Sequence, residues 1–216
     1  MHARGAKRHN EETMKALAPA LAFAAALLVT LPVSAQHQTF AIDPNASDVK
    51  MTLKTSHEVV YGSFHLESGS IVYDQSATTI SGSVVVAAAS GKTGNGIRDK
   101  KMDKDVLKVQ QYTTVSFIPK NYTGTIAPSG DSAIQVSGVL TLLGTPHDIT
   151  VPMQVHIDGT SCTAKAHFII PYVQWGLKNP SLMIWKADND VAIDLSVTGH
   201  LSSSLNRRWP PKSGAP

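Results

Sequence analysis

The sequence predicts an all-β fold, a single antiparallel domain with one short helix. Apolar residues recur at every second position along most of the chain from Gln38 onward, and turn-forming residues separate the alternating runs. Only residues 97–110 depart from this period of two. We expect the domain to span residues 36–201, with a signal segment at 1–35 before it and a disordered tail at 202–216 after it.

The first 35 residues have the layout of a secretory signal peptide. A positive charge at Lys15 precedes an apolar run over residues 17–31, and small residues lead up to Ala35. The run contains Pro19 and is about 15 residues long, whereas a membrane-spanning helix needs roughly 20. We therefore expect translation to start at Met14 and cleavage to follow Ala35, which leaves a mature protein without a stable membrane anchor.

The alternating runs define the expected strands. In residues 48–55, Val49, Met51 and Leu53 alternate with polar residues, so that one face of the strand is buried. The same period appears in residues 134–142, 149–157 and 191–198, and further strand-like segments occupy residues 61–67, 70–73, 79–89, 113–121 and 161–171. Turn residues separate them, as in Asp43-Pro44-Asn45, Ser68-Gly69, Gly144-Thr145-Pro146 and Asp158-Gly159.

The helix predicted over residues 97–110 has apolar residues on one side and many charged residues on the other. The tail from residue 202 is rich in proline and has too little apolar content to pack against a core. Eight or more strands with short links and one apolar face fit either a sandwich or a closed barrel. The pattern by itself leaves both architectures open.

Composition excludes two classes of protein. The full chain has 19 basic and 16 acidic residues, and removal of the first 35 leaves 15 and 14. Because these charges alternate in sign along the chain, we expect no nucleic-acid partner. The single cysteine, Cys162, rules out an internal disulfide, so the apolar core has to supply the stability.

Four motifs in the same order resemble the YceI-like family of exported, lipocalin-like proteins. They are YGSF at residues 61–64 with GSI at 69–71, TGNGIRDKKM at 93–102, VSGVLTLLG at 136–144 and IPYVQWGLKNPS at 170–181. The resemblance implies a closed antiparallel barrel whose hollow interior holds a polyisoprenoid or quinone-like lipid. It also implies a bacterial periplasmic or secreted location. The sequence departs from the commoner family pattern at Lys101-Met102 and Val106-Leu107, beside the predicted helix.

Strand alternation identifies the side chains that would face the barrel interior. The expected ligand-binding residues are Met51, Leu53, Phe64, Val84, Val86, Phe117, Leu140, Leu142, Met153, Phe168, Ile170 and Trp175, and Val155 and Val197 also belong to the inward set. A filled core is the alternative to a hollow one. Small residues nearby favour a hollow interior, namely Gly62, Gly82, Ala88, Gly138, Ala164 and Ala166.

The polar residues show no catalytic or metal-binding pattern. Seven histidines follow residue 35, but none has zinc-site spacing, and no nucleophile elbow or phosphate-binding loop occurs. Arg98 could bind a ligand head group through its forked donors, or Arg98 and Asp99 could fasten the helix to the barrel. Trp185 could line the cavity mouth or cap the core.

We therefore expect an exported lipid-binding protein that sequesters or transports an isoprenoid or quinone-like ligand. We expect it not to be an enzyme and to need no cofactor or metal. The alternatives are a structural or stress-response barrel without ligand and an enzyme acting on an apolar substrate near His57, His65 or Arg98. Whether the protein forms a homodimer stays open.

Overall fold

The computed structural model describes residues 36–205, and the expected signal segment and residues 206–216 lie outside this range. The described residues form one antiparallel sheet that closes into a barrel, so the barrel implied by the resemblance is confirmed. Its strands are β1 (Gln36–Ile42), β2 (Asp48–Lys54), β3 (Val59–Phe64), β4 (Leu66–Asp74), β5 (Thr79–Ala87), β6 (Thr114–Thr123), β7 (Gly130–Leu142), β8 (Thr145–Asp158), β9 (Ser161–Ile170) and β10 (Val191–Leu205).

The long strand β10 closes the barrel. Its residues 199–205 pair with β1, and its residues 192–196 pair with β2. β1 and β2 therefore share one position in the barrel. β3 and β4 share the next, because β3 pairs with β2 and β4 pairs with β1. The ten strands thus fill eight positions, and the pairing of β1 with β10 closes the sheet on itself, which removes the edges of those two strands.

The turn predicted from Asp43-Pro44-Asn45 separates β1 from β2. Pro44 opens a short 3-10 turn that ends at Ala46, because its fixed φ suits the first position of such a turn. The Asp43 carboxylate accepts a hydrogen bond from the Asn45 N–H at 2.9 Å. The turn lets one chain segment supply two strands to the same barrel position.

The helix α1 (Gly96–Lys101) continues without a gap as a π-helical turn over Met102–Val106. The Asn95 side chain caps its start by accepting hydrogen bonds from the N–H groups of Ile97 and Arg98. The helix was predicted to reach residue 110, and this end is wrong. Helical structure stops at Val106, and Lys108 adopts a φ of +49°, which no right-handed helix can include.

Two groups of buried side chains fill the interior unequally. At one end of the barrel, Leu66, Tyr122, Val136, Ile157 and other apolar residues pack into a filled core. At the other end a second group surrounds open space; its buried members are Val106, Leu107, Leu140, Leu142, Ile170, Tyr172 and Leu177. The barrel is therefore filled at one end and hollow at the other.

The C-terminal boundary of the domain differs from the prediction. β10 runs to Leu205 instead of ending at residue 201, because residues 202–205 pair with residues 36–39 of β1. Backbone pairing needs no apolar side chains, so composition alone missed this extension. Among residues 36–205, no helix combines the length and apolar character needed to cross a bilayer.

Candidate functional site

The hollow end of the barrel encloses a cavity of about 590 Å³. Its wall is made of residues of β2, β3, β5, β6, β7, β9 and β10, and Ser116 is the one polar residue among these strand positions. The rim is formed by α1, by the β2–β3 turn and by residues 180–187. The volume lies within the range of roughly 300–1,000 Å³ that is usual for small-molecule sites.

Most residues predicted to bind a ligand line this cavity. They are Met51, Leu53, Phe64, Val84, Val86, Phe117, Leu140, Leu142, Phe168 and Ile170. Met153 instead packs against the filled core, opposite Ile134 and Ala166. Trp175 lies outside the cavity and stacks on His147, with ring centroids 4.0 Å apart and the planes 6° from parallel.

Several residues that line the cavity were not predicted to bind a ligand. Ile193 and Leu195 belong to the same alternating run as Val197, so the period of β10 could have identified them. Residues 180–187 lie outside the named strands and helices, where no periodic signal exists. Tyr172 and Leu177 also reach the cavity from an irregular segment, and they follow the strand β9.

The small residues that favoured a hollow interior do not create the cavity. Gly62, Gly82, Ala88, Gly138, Ala164 and Ala166 are all absent from its lining. At Gly82, where φ is +116°, an added Cβ would lie 2.1 Å from the Ser70 carbonyl oxygen. At Gly138 it would lie 2.5 Å from the Ile118 carbonyl oxygen. These glycines allow close backbone approach at strand irregularities, which is a different role.

Arg98 fastens the helix to the barrel rim. Its Nε donates to the Thr93 hydroxyl at 2.8 Å, and one terminal nitrogen donates to the Thr93 carbonyl oxygen at 2.9 Å. The other terminal nitrogen donates to a Glu58 carboxylate oxygen at 2.8 Å. Each of the three guanidinium nitrogens thus donates to an acceptor of the protein itself. These bonds correspond to the second role predicted for Arg98, which is to fasten the helix to the barrel.

Asp99 completes the attachment from the buried side of the helix. Its carboxylate accepts hydrogen bonds from the Thr93 N–H and hydroxyl, and these bonds hold the pKa of Asp99 below its usual value. Lys92, next to Thr93, exchanges two backbone hydrogen bonds with Ser63 of β3. The helix is therefore tied to the sheet through a continuous series of hydrogen bonds.

Trp185 lies at the cavity mouth, which is the first of the two roles considered for it. Its indole stacks on the His57 imidazole, with ring centroids 4.4 Å apart. The hydroxyl of Ser56 accepts from the Lys186 N–H at 3.1 Å, and the Ser56 N–H donates to the Lys186 carbonyl oxygen at 2.8 Å. These contacts attach residues 180–187 to the β2–β3 turn.

The cavity wall offers few polar groups for acid–base chemistry. Asp103 of the π-helical turn has one oxygen that is buried without a hydrogen-bond partner among residues 36–205, and burial raises the pKa of this carboxyl. Asp103 does not line the cavity. Within the described part of the chain, no group of three or more His, Cys, Asp or Glu side chains could hold a metal ion.

Known proteins resemble this chain in both sequence and fold. A model of the YceI-like domain matches residues 40–199. A UPF0312 protein of Vibrio vulnificus (strain YJ016) is 28% identical over 131 residues, which cover 58% of this chain and 67% of that protein.

Two solved structures resemble the barrel. BcnA of Burkholderia cenocepacia superposes with a TM-score of 0.60 at 19% identity, and the match covers 73% of this chain and 99% of that one. A polyisoprenoid binding domain from Saccharophagus degradans gives a TM-score of 0.61 at 16% identity, covering 76% and 98%. The structural matches establish a shared fold, and because the domain model spans nearly the whole described barrel, the chain belongs to the YceI-like family.

Proposed function

We propose that this protein binds an apolar, chain-like lipid of the isoprenoid or quinone type inside the barrel. The observation that supports this most directly is the cavity of about 590 Å³ with a wall of apolar side chains. Burial of apolar surface contributes roughly 25 cal/mol per Å², so a chain-like lipid can be held without a strong polar contact. The open rim lets part of a long ligand remain outside the wall.

The similarity to the domain described as polyisoprenoid binding supports the same class of ligand. The wall also contains residues that adapt to an irregular chain, since Met51 and Met102 both line the cavity and their unbranched thioethers fit uneven shapes. Selectivity would then depend on the length and width of the ligand.

Binding fits the site better than catalysis does. Of the four charged residues that line the cavity, Arg98 and Glu58 hydrogen-bond to each other, and Arg98 and Lys101 also donate to backbone carbonyl oxygens, so these three are held in a structural arrangement. Transport of a lipid outside the cytoplasm agrees with the predicted signal segment. Sequencing the N-terminus of the protein from its host would test export: a start at Gln36 supports it, and a chain that retains residues 14–35 contradicts it.

Lipid extraction tests the binding proposal. The protein is purified from its own host without detergent, and its mass is measured under native conditions before and after solvent extraction. We expect an additional mass that the extraction removes and that fragments as an isoprenoid. A protein that is free of lipid and takes up neither a quinone nor a polyprenol in reconstitution would contradict the proposal.

A further inference from the structure

Five apolar side chains project into solvent around the cavity mouth. They are Ile97 on α1 and the consecutive Leu182, Met183, Ile184 and Trp185, and we call them the mouth patch. Met183 is fully exposed, Ile97 is 84% exposed and Ile184 is 73% exposed. Single exposed apolar residues are ordinary on a protein surface, but a contiguous group of them marks an interaction site.

The patch is held outward by its backbone. Leu182 and Trp185 exchange two backbone hydrogen bonds, so Met183 and Ile184 form the tip of a two-residue hairpin. Met183 adopts a φ of +36°, in a region where glycine or asparagine is the usual choice. The tip therefore has apolar side chains where backbone geometry and solvation both favour other residues.

The tip is also tied to its surroundings. Ser56 hydrogen-bonds to the backbone of Lys186, and Lys101 of α1 donates to the Pro180 carbonyl oxygen at 3.3 Å. Because these contacts hold the hairpin and α1 on the two sides of one opening, Ile97, Leu182 and Trp185 also line the cavity. Apolar side chains are thus present at the outer tip, at the rim and inside the barrel.

The charges at the same opening are mainly positive. The charged residues that line the cavity are Glu58, Arg98, Lys101 and Lys186, and Glu58 pairs with Arg98. The residues that line the cavity therefore carry two more positive than negative charges. Apolar side chains with a tryptophan, flanked by lysine and arginine, are the features by which proteins bind the surface of an anionic bilayer.

We propose that the mouth patch docks on the surface of a membrane that contains anionic lipids. A projecting tip enters the headgroup region readily, whereas a protein partner would need a matching cleft. With the patch inserted, the cavity would open directly to the bilayer, and a lipid could pass between them without crossing water. Docking goes beyond the proposed ligand binding and can be measured without it.

Vesicle sedimentation tests the proposal. The protein purified from its host is mixed with vesicles of phosphatidylcholine and phosphatidylglycerol, and with vesicles of phosphatidylcholine alone. We expect binding to the anionic vesicles that weakens as salt screens the charges. The double variant Met183→Ser with Ile184→Ser should lose on the order of tenfold in partitioning, because two side chains no longer bury apolar surface.

The matched control is Ile118→Ser, which removes an exposed isoleucine from the outer face of β6, and it should bind vesicles as the native protein does. Both variants retain the native N-terminus, so a retained signal segment would affect all three proteins equally. Circular dichroism verifies folding. If the double variant does not fold, Met183→Ser alone takes its place, and because it removes one apolar side chain instead of two we expect roughly a threefold loss.

Equal vesicle binding by the native protein and the double variant would overturn the proposal, as would no binding by the native protein. A dimer that the double variant abolishes, in the absence of vesicle binding, would also overturn it and would identify the patch as a contact between copies. Lipid extraction of the double variant separates this test from the first proposal, because Met183 and Ile184 do not line the cavity.

Discussion

The Asp99 carboxylate accepts two hydrogen bonds from Thr93, one from the backbone N–H at 2.9 Å and one from the hydroxyl at 2.5 Å. Asp99 is the buried residue of α1, and Thr93 lies in the segment that precedes the helix. The pair therefore fixes the position of the helix on the rim of the cavity.

Replacing Asp99 tests how much this attachment stabilises the protein. Asp99→Asn removes the charge from two hydrogen bonds, and we expect it to lower the free energy of unfolding by about 1–3 kcal/mol. Urea denaturation measures the change. Asp158→Asn is the control, since it makes the same substitution at the exposed end of β8 and should have little effect. Equal effects of the two substitutions would contradict the role assigned to Asp99.

The same hydrogen bonds predict how stability depends on pH. They lower the pKa of Asp99 even though burial acts in the opposite direction. A carboxyl with a lowered folded-state pKa contributes stability above its unfolded pKa of about 4, and this contribution is lost as the pH falls through the folded value. The urea midpoint should thus fall less steeply below about pH 4 in Asp99→Asn than in the native protein. Identical slopes would show that Asp99 is not the group responsible.

Narrowing the cavity should weaken lipid binding. Val84 lines the cavity next to Phe117, its partner on the adjacent strand β6, whereas its chain neighbour Val85 does not line the cavity. Val84→Phe places a ring in the space for the ligand, and we expect roughly tenfold weaker uptake of a polyprenol or quinone. Val85→Phe adds the same volume elsewhere and should bind normally. Thermal unfolding of both variants verifies the fold, and equal binding by both would argue against this location of the ligand.

Thiol labelling reports on the filled end of the barrel. Cys162 is buried, and burial raises its pKa to about 11. Because the thiolate is the reactive form, we expect Cys162 to resist a disulfide reagent at pH 8 until the protein unfolds. The labelling rate should rise together with the unfolded fraction as urea is added. Rapid labelling of the native protein would contradict the packing described for this end.

The accuracy of the sequence predictions follows from where a local signal exists. Successive side chains of a strand point to opposite faces, so alternation correctly placed Met51, Leu53 and Phe168 on the cavity side. Met153 obeys the same alternation but lies farther along the barrel, in the filled core. Periodicity reports the face of a strand and carries no information about depth along the barrel axis.

Local periodicity and ordered motifs were enough to predict the all-β class, the approximate strands, the helix after residue 95 and the family. The hollow end of the barrel and the residues around its mouth became known from the folded chain. Residues 180–187, including Trp185, reach the rim through hydrogen bonds to Ser56 and α1. Such contacts join segments distant in the chain, and no local pattern specifies them.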